Sequence, residues 1–125
     1  MKIDDLADRL GEKGVGVVGV DVFTHYMPDT CEAGVLLLLG DDPIDAEIGS
    51  YRPNAKFQAV VRHSQYPAGF ALADKVIDAL TIMEEKTAGM FINFCRPRHE
   101  PVVFPRSTGN LLEWSINFDA NYVKL

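Results

Sequence analysis

The apolar run Val35-Leu36-Leu37-Leu38-Leu39 constrains the fold of this chain more than any other feature. It follows Gly34 and is closed by Gly40-Asp41-Asp42-Pro43, so it reads as a strand from Gly34 to Leu39. Side chains on a strand alternate between the two faces of the sheet, and a strand that is apolar at every position needs cover on both. Helices can cover one face. The other is covered either by a further copy of the chain or by the sheet curling over its own core, and the sequence leaves both open.

The remaining segments predict what surrounds that strand. Ile3, Leu6, Ala7 and Leu10 recur at helical spacing between Lys2 and Lys13, with acids in the first turn and Gly14 after the end. Val15 to Phe23 is β-branched and spotted with glycine, which predicts a strand with a bulge. The polar segment Asp41 to Asn54, with two prolines and a glycine, reads as a long loop of the kind that carries contacts. A strand from Ala55 to His63 sets Phe57, Ala59, Val61 and His63 against Lys56, Gln58, Val60 and Arg62. Pro67 opens a second helix whose stripe is Phe70, Ala73, Val76, Ile77 and Leu80, and which is expected to run to about Glu85. Strands at Met90–Cys95 and Val102–Phe104 flank a turn at 96–101. A last strand puts Leu112, Trp114, Ile116, Phe118, Ala120 and Tyr122 on one face and polar residues on the other. The expectation is one α+β domain over residues 1–125, ordered α-β-β-β-α-β-β-β. Its sheet is antiparallel or mixed, and its two helices pack on one face.

Composition excludes several function classes. The net charge of −6 divides into −8 over residues 1–50 (three bases, eleven acids) and +2 over residues 51–125 (nine bases, seven acids). An acidic chain is a poor sequence-independent DNA binder, because such binding needs Lys and Arg to neutralise phosphates. The charge asymmetry suits subunits that meet an unlike surface of their neighbour. No apolar run approaches the roughly 18 residues of a membrane span. The acidic start Met1-Lys2-Ile3-Asp4-Asp5 is unlike a signal peptide, which implies assembly in a host cytoplasm. In that compartment Cys31 and Cys95 are expected as free thiols.

A search for catalytic or metal chemistry yields nothing. His25, His63 and His99 lie in different elements, with no ligand spacing among them or with the cysteines. There is no nucleophile elbow, and the acids of 41–47 lack the pattern of a calcium loop. No catalytic residue, metal or cofactor is expected. The residues of interest are contact candidates: Asp41, Asp42, Asp45, Glu47, Tyr51 and Arg52 in the polar segment, and Arg96 and Arg98 around the 96–101 turn, where Arg106 is also expected. The two groups carry opposite charge, so contact across a subunit boundary is one reading of them. An enzyme site assembled from His25, His63 and distant aspartates, or a small binding module, remains as an alternative.

Four stretches together resemble the tail terminator proteins of long-tailed bacteriophages. They are the first helix leading to Gly19-Val20-Asp21-Val22-Phe23 and Met27-Pro28-Asp29; Tyr51-Arg52-Pro53 with Phe57-Gln58-Ala59-Val60-Val61-Arg62; Ser64 and Tyr66 leading into a helix with Leu72-Ala73, Val76 and Leu80; and Trp114-Ser115-Ile116-Asn117-Phe118 through Tyr122. Residues 90–107 match loosely, and Arg96-Pro97-Arg98-His99 has no counterpart. The resemblance implies a hexameric ring at the top of the tail. Such a ring caps the tail tube protein, joins the tail to the head-completion or neck protein, and leaves a lumen through which DNA passes without specific binding. A head-completion or neck subunit is the nearest alternative.

Overall fold

The computed structural model describes residues 1–105 and 109–125. Two helices, α1 (Ile3–Glu12) and α2 (Tyr66–Leu80), accompany seven strands: β1 (Val22–Thr24), β2 (Gly34–Leu39), β3 (Tyr51–His63), β4 (Ile82–Thr87), β5 (Met90–Pro97), β6 (Val102–Pro105) and β7 (Leu112–Lys124). All seven belong to one mixed sheet ordered β1-β2-β3-β7-β5-β4, with β6 also on β7. Among the described strands, β1 and β2 pair in parallel and the other pairs are antiparallel. The expected order is observed, with β4 as one further strand.

The sheet is centred on β3 and β7, which pair antiparallel from Tyr51↔Val123 to His63↔Leu112. Their alternation is the one read from sequence: Phe57, Ala59 and Val61 are buried opposite Phe118, Ile116 and Trp114. Phe57 and Phe118 stack with ring centroids 4.8 Å apart. Both helices pack on this face, α2 over β3, β7 and β5, and α1 over β1 and β2. The centre of the α2 stripe is shifted from the expected one. Gly69, Ala73, Val76, Ala79 and Leu80 are buried, while Phe70 and Ile77 pack at its margin. Small residues let the helix approach closely: a Cβ on Gly69 would lie 2.1 Å from the Trp114 indole. Arg9 ties the helices to the sheet, donating to the Ala79 carbonyl at 2.6 Å and to Glu85 at 2.5 Å.

Four segments depart from expectation, each for a local reason. Residues 15–21 form no strand. The amides of Val20, Asp21 and Val22 all turn back to the Val17 carbonyl, and the Asp21 carboxylate accepts the Val17 N–H at 2.5 Å. A side-chain acceptor thus competes successfully with a sheet ladder. The second helix ends at Leu80 rather than near Glu85, because Thr81 is extended (ψ 112°) and Ile82 pairs with Cys95. A two-residue turn at Ala88 and Gly89, both with positive φ, then joins β4 to β5. The polar loop is shorter than expected, since β3 begins at Tyr51. Pro53 lies where the register shifts between Arg52 and Ala55, as expected of a residue without an N–H. Finally, the 96–101 segment does not fold β6 back on β5. Both strands run antiparallel along the same edge of β7, β5 against its second half and β6 against its first. They form one interrupted strand, broken where the Arg98 amide bonds to the Asn117 carbonyl.

The close contact of α2 with Trp114 gives a direct test. Gly69→Ala is expected to overpack this site and to lower unfolding free energy by about 1–3 kcal/mol, measured by urea denaturation. An unchanged midpoint would show that the helix lifts freely off the sheet.

Candidate assembly interface

The face of the sheet opposite the helices carries no helix; the 28–31 segment covers it at Arg62, and much of the rest is half-buried. On β2, Val35 and Leu37 point to the core, while Leu36 and Leu38 are half-buried on the helix-free face and Leu39, at the strand end, is 53% exposed. The sheet does not close on itself: among the described strands β1 and β4 are its two ends and do not pair. The central column of this face is polar and cross-linked. Arg62 donates to Glu113 at 3.0 Å, Gln58 to Ser115 at 2.7 Å, and Asn121 to Tyr51 at 2.7 Å. Asn117 meets His99 Nε2 at 3.0 Å, and Asn93, at a bulge in β5, donates to Asn121 at 2.7 Å.

The contact candidates divide into two kinds. Asp42, Asp45, Tyr51 and Arg52 hold the shape of their own loop. Tyr122 donates to Asp42 at 2.6 Å, and the Met1 ammonium meets the same carboxylate. The Asp45 carboxylate accepts the amides of Ile48 and Glu47 at 2.8 and 2.9 Å, which hold its carboxyl below the ordinary range. The buried Arg52 guanidinium donates to the carbonyls of Gly49 and Tyr51. By contrast, Asp41, Glu47, Arg96 and Arg98 are exposed. Arg96 lies over the Phe94 ring at 4.6 Å, and Arg98 Nε is 3.5 Å from an Asp119 oxygen. Asp41 and Arg98, assigned to opposite sides of a subunit boundary on sequence grounds, line one groove of about 310 Å³ within a single chain. Arg106 lies outside the described residues.

Two features of this surface escape a reading of the sequence. Arg62 falls on the polar side of β3 but is buried, with its guanidinium donating to the Pro28 and Cys31 carbonyls as well as to Glu113. Only the pairing register, which places Arg62 opposite Glu113, reveals this. The apolar surface outside the run 35–39 also escapes: Val17, Val18 and Val20, and the whole of β6, are exposed.

Chemistry is sparse. Among the described residues no three His, Cys, Asp or Glu side chains converge to hold a metal ion, and no described helix is long and apolar enough to cross a membrane. Cys31 and Cys95 are free thiols. Burial pushes the Cys95 thiol up to about 12, beyond the opposing effect of Arg9. Burial also raises the Tyr122 hydroxyl, aided by its bond to Asp42.

The described residues thus build a small α+β domain whose second sheet face is polar and cross-linked. Comparison with known proteins places it. The bacteriophage tail terminator protein family matches residues 9–124, and the chain belongs to this family. Its role is accordingly structural, in a phage tail. No curated protein matches. Among solved structures, a chain from the "Virion of native gene transfer agent (GTA) particle" shares the fold. Its TM-score is 0.58 at 17% identity, covering 94% of this chain and 84% of that one.

Two measurements check the local geometry. Arg62→Met leaves Glu113 without its partner and is expected to cost about 3 kcal/mol, with part recovered in the Arg62→Met, Glu113→Gln double variant. Recovery failing entirely would show that Arg62 acts through Pro28 and Cys31 alone. Cys95 and Tyr122 hold their protons more tightly folded than unfolded, so the unfolded chain releases protons first. Stability is therefore expected to fall as pH rises from 9.0, the ordinary thiol value, toward about 12. The fall should be shallower in Cys95→Ala, and a thiol reagent at pH 8 should modify Cys31 well before Cys95.

Proposed function

We propose that copies of this chain form a ring, a hexamer, that caps the finished tail tube and ends its polymerisation, and that the opposite side of the ring joins the tail to the neck of the head. The reading rests on the family match over residues 9–124, which takes in all seven strands, α2 and the end of α1. The helix-free face supports it: half-buried Leu36 and Leu38 lie beside a polar column, a surface that gains from a neighbour. The protein acts by binding geometry, one side of the ring matching the tube end and the other the neck. Asp41, Glu47, Arg96 and Arg98 are the exposed charges best placed to choose partners, with Asp42, Asp45, Tyr51 and Arg52 shaping the loop that carries two of them. The acidic balance of the chain favours a lumen that lets DNA pass without gripping its phosphates.

The test is tube growth. Tube protein polymerised with the purified chain is expected to give tubes of limited length with a ring at one end in negative-stain images. Without the chain, growth continues. A chain that never binds tube ends overturns the proposal, and tubes of regulated length in its absence would assign it to the neck instead.

A further inference from the structure

Register across the sheet places two exposed apolar edges at opposite ends of the same rows. Val22, Val35, Val61, Trp114 and Val103 are successive partners from β1 to β6, and Phe23, Leu36, Val60, Ser115 and Val102 form the adjacent row. Five strands span four gaps, so the edges stand about 19 Å apart at ordinary strand spacing. At the β6 end, Val102, Val103 and Phe104 are 54%, 38% and 40% exposed, and both faces of the strand are open. At the β1 end, the 17–20 turn bridges to Val22 and presents Val17, Val18 and Val20 at 61%, 48% and 68% exposure.

We infer that successive subunits join head to tail through these edges, β6 of one copy against the Val17–Val20 turn and β1 edge of the next. This names the contact within the ring proposed above and rests on that reading. Three observations select a second copy of the chain as the occupant. The edges are unlike, and a ring can be built only from a contact between unlike patches repeated by a rotation that closes, whereas a self-matching patch stops at a dimer. The chain segments that carry them differ in net charge. Residues 12–32 hold four acids and one base, while residues 96–105 hold two arginines and one acid. The third observation is the contrast with β4, the other terminal strand. That strand carries Glu84, Glu85 and Lys86, and Glu84 breaks its line at φ 49°. Charges and irregularity are how a sheet edge is kept from pairing. β6 carries no charge: its residues are Val, Val, Phe and Pro, with the proline only at its end, opposite Leu112.

The experiment uses two double variants of the full chain, each spoiling one edge. Val102→Asp with Phe104→Asp puts acid on β6, where it would meet the acidic turn. Val18→Lys with Val20→Lys puts bases on the turn, where they would meet Arg96 and Arg98. Cooperative thermal melting establishes that each is folded, and the single variants Val102→Asp and Val20→Lys replace any double that is not. Under conditions where the wild type assembles, free or on tube ends, each variant alone is expected to be monomeric by native mass spectrometry. Its assembled fraction should fall at least about tenfold. An equal mixture of the two is expected to associate, through the one intact pair of edges as 1:1 heterodimers, or as larger assemblies where the added acids of one variant meet the added bases of the other. Rings retained by both variants, dimers of either variant alone, or a mixture that stays monomeric would overturn this assignment while leaving the ring reading standing. Wild-type chain that never exceeds a monomer, even with tubes, would overturn the ring reading itself.

Discussion

The antiparallel pairing of β3 with β7 is the constraint on which the rest of the structure depends. Each strand is thirteen residues long, and their register decides both faces of the sheet at once. On one side it brings Phe57 onto Phe118 and Val61 beside Trp114, making the apolar floor on which α2 lies. On the other it sets Arg62 against Glu113 and Gln58 against Ser115. A slip of one residue would turn aromatic side chains outward and strand a buried guanidinium, so the two faces reinforce a single register. The pairs at the core and the pairs at the helix-free face are therefore one interaction seen from two sides.

Much of this was legible in the sequence, and the legible parts share a cause. Strands β3 and β7 and helix α1 carry periodic patterns that identify them, and β2 is an unbroken apolar run bounded by turn residues. Failures came where local chemistry overrode the pattern. The β-branched residues of 15–21 looked like a strand, but Asp21 offered the Val17 amide a nearer acceptor. The run after Leu80 continued a helical pattern, yet Ile82 found a partner in Cys95, far along the chain. Of the contact candidates, Asp41, Glu47, Arg96 and Arg98 are exposed as a contact residue must be. Asp42 and Arg52 spend their charge within the fold, which no spacing of acids and bases in a sequence discloses. The importance of β6 was hidden for another reason. Its three apolar residues look like any core strand until the pairing shows that only β7 meets them.

The run Val35–Leu39 has a divided role. Val35 and Leu37 belong to the core beneath α1, whereas Leu36 and Leu38 look out across the helix-free face. The requirement for cover on both sides is thus met on one side by the chain itself and on the other only in part. Membership of the tail terminator family makes that shortfall intelligible, since a subunit of a virion tail is selected in the company of other proteins. Leu36 and Leu38 are the part of the run that the chain itself leaves half-covered.

The acidic loop is fixed by the chain's own hydrogen bonds. Its turn is already formed by the bonds from Ile48 and Glu47 to Asp45, by Arg52 on two carbonyls, and by Tyr122 on Asp42. A loop that had to order on contact would surrender backbone freedom at that moment and weaken the union by as much. Here that loss is taken when the chain folds. On the proposed reading, a partner that docks on this loop meets a shape already formed, so the loop adds no ordering step to the encounter.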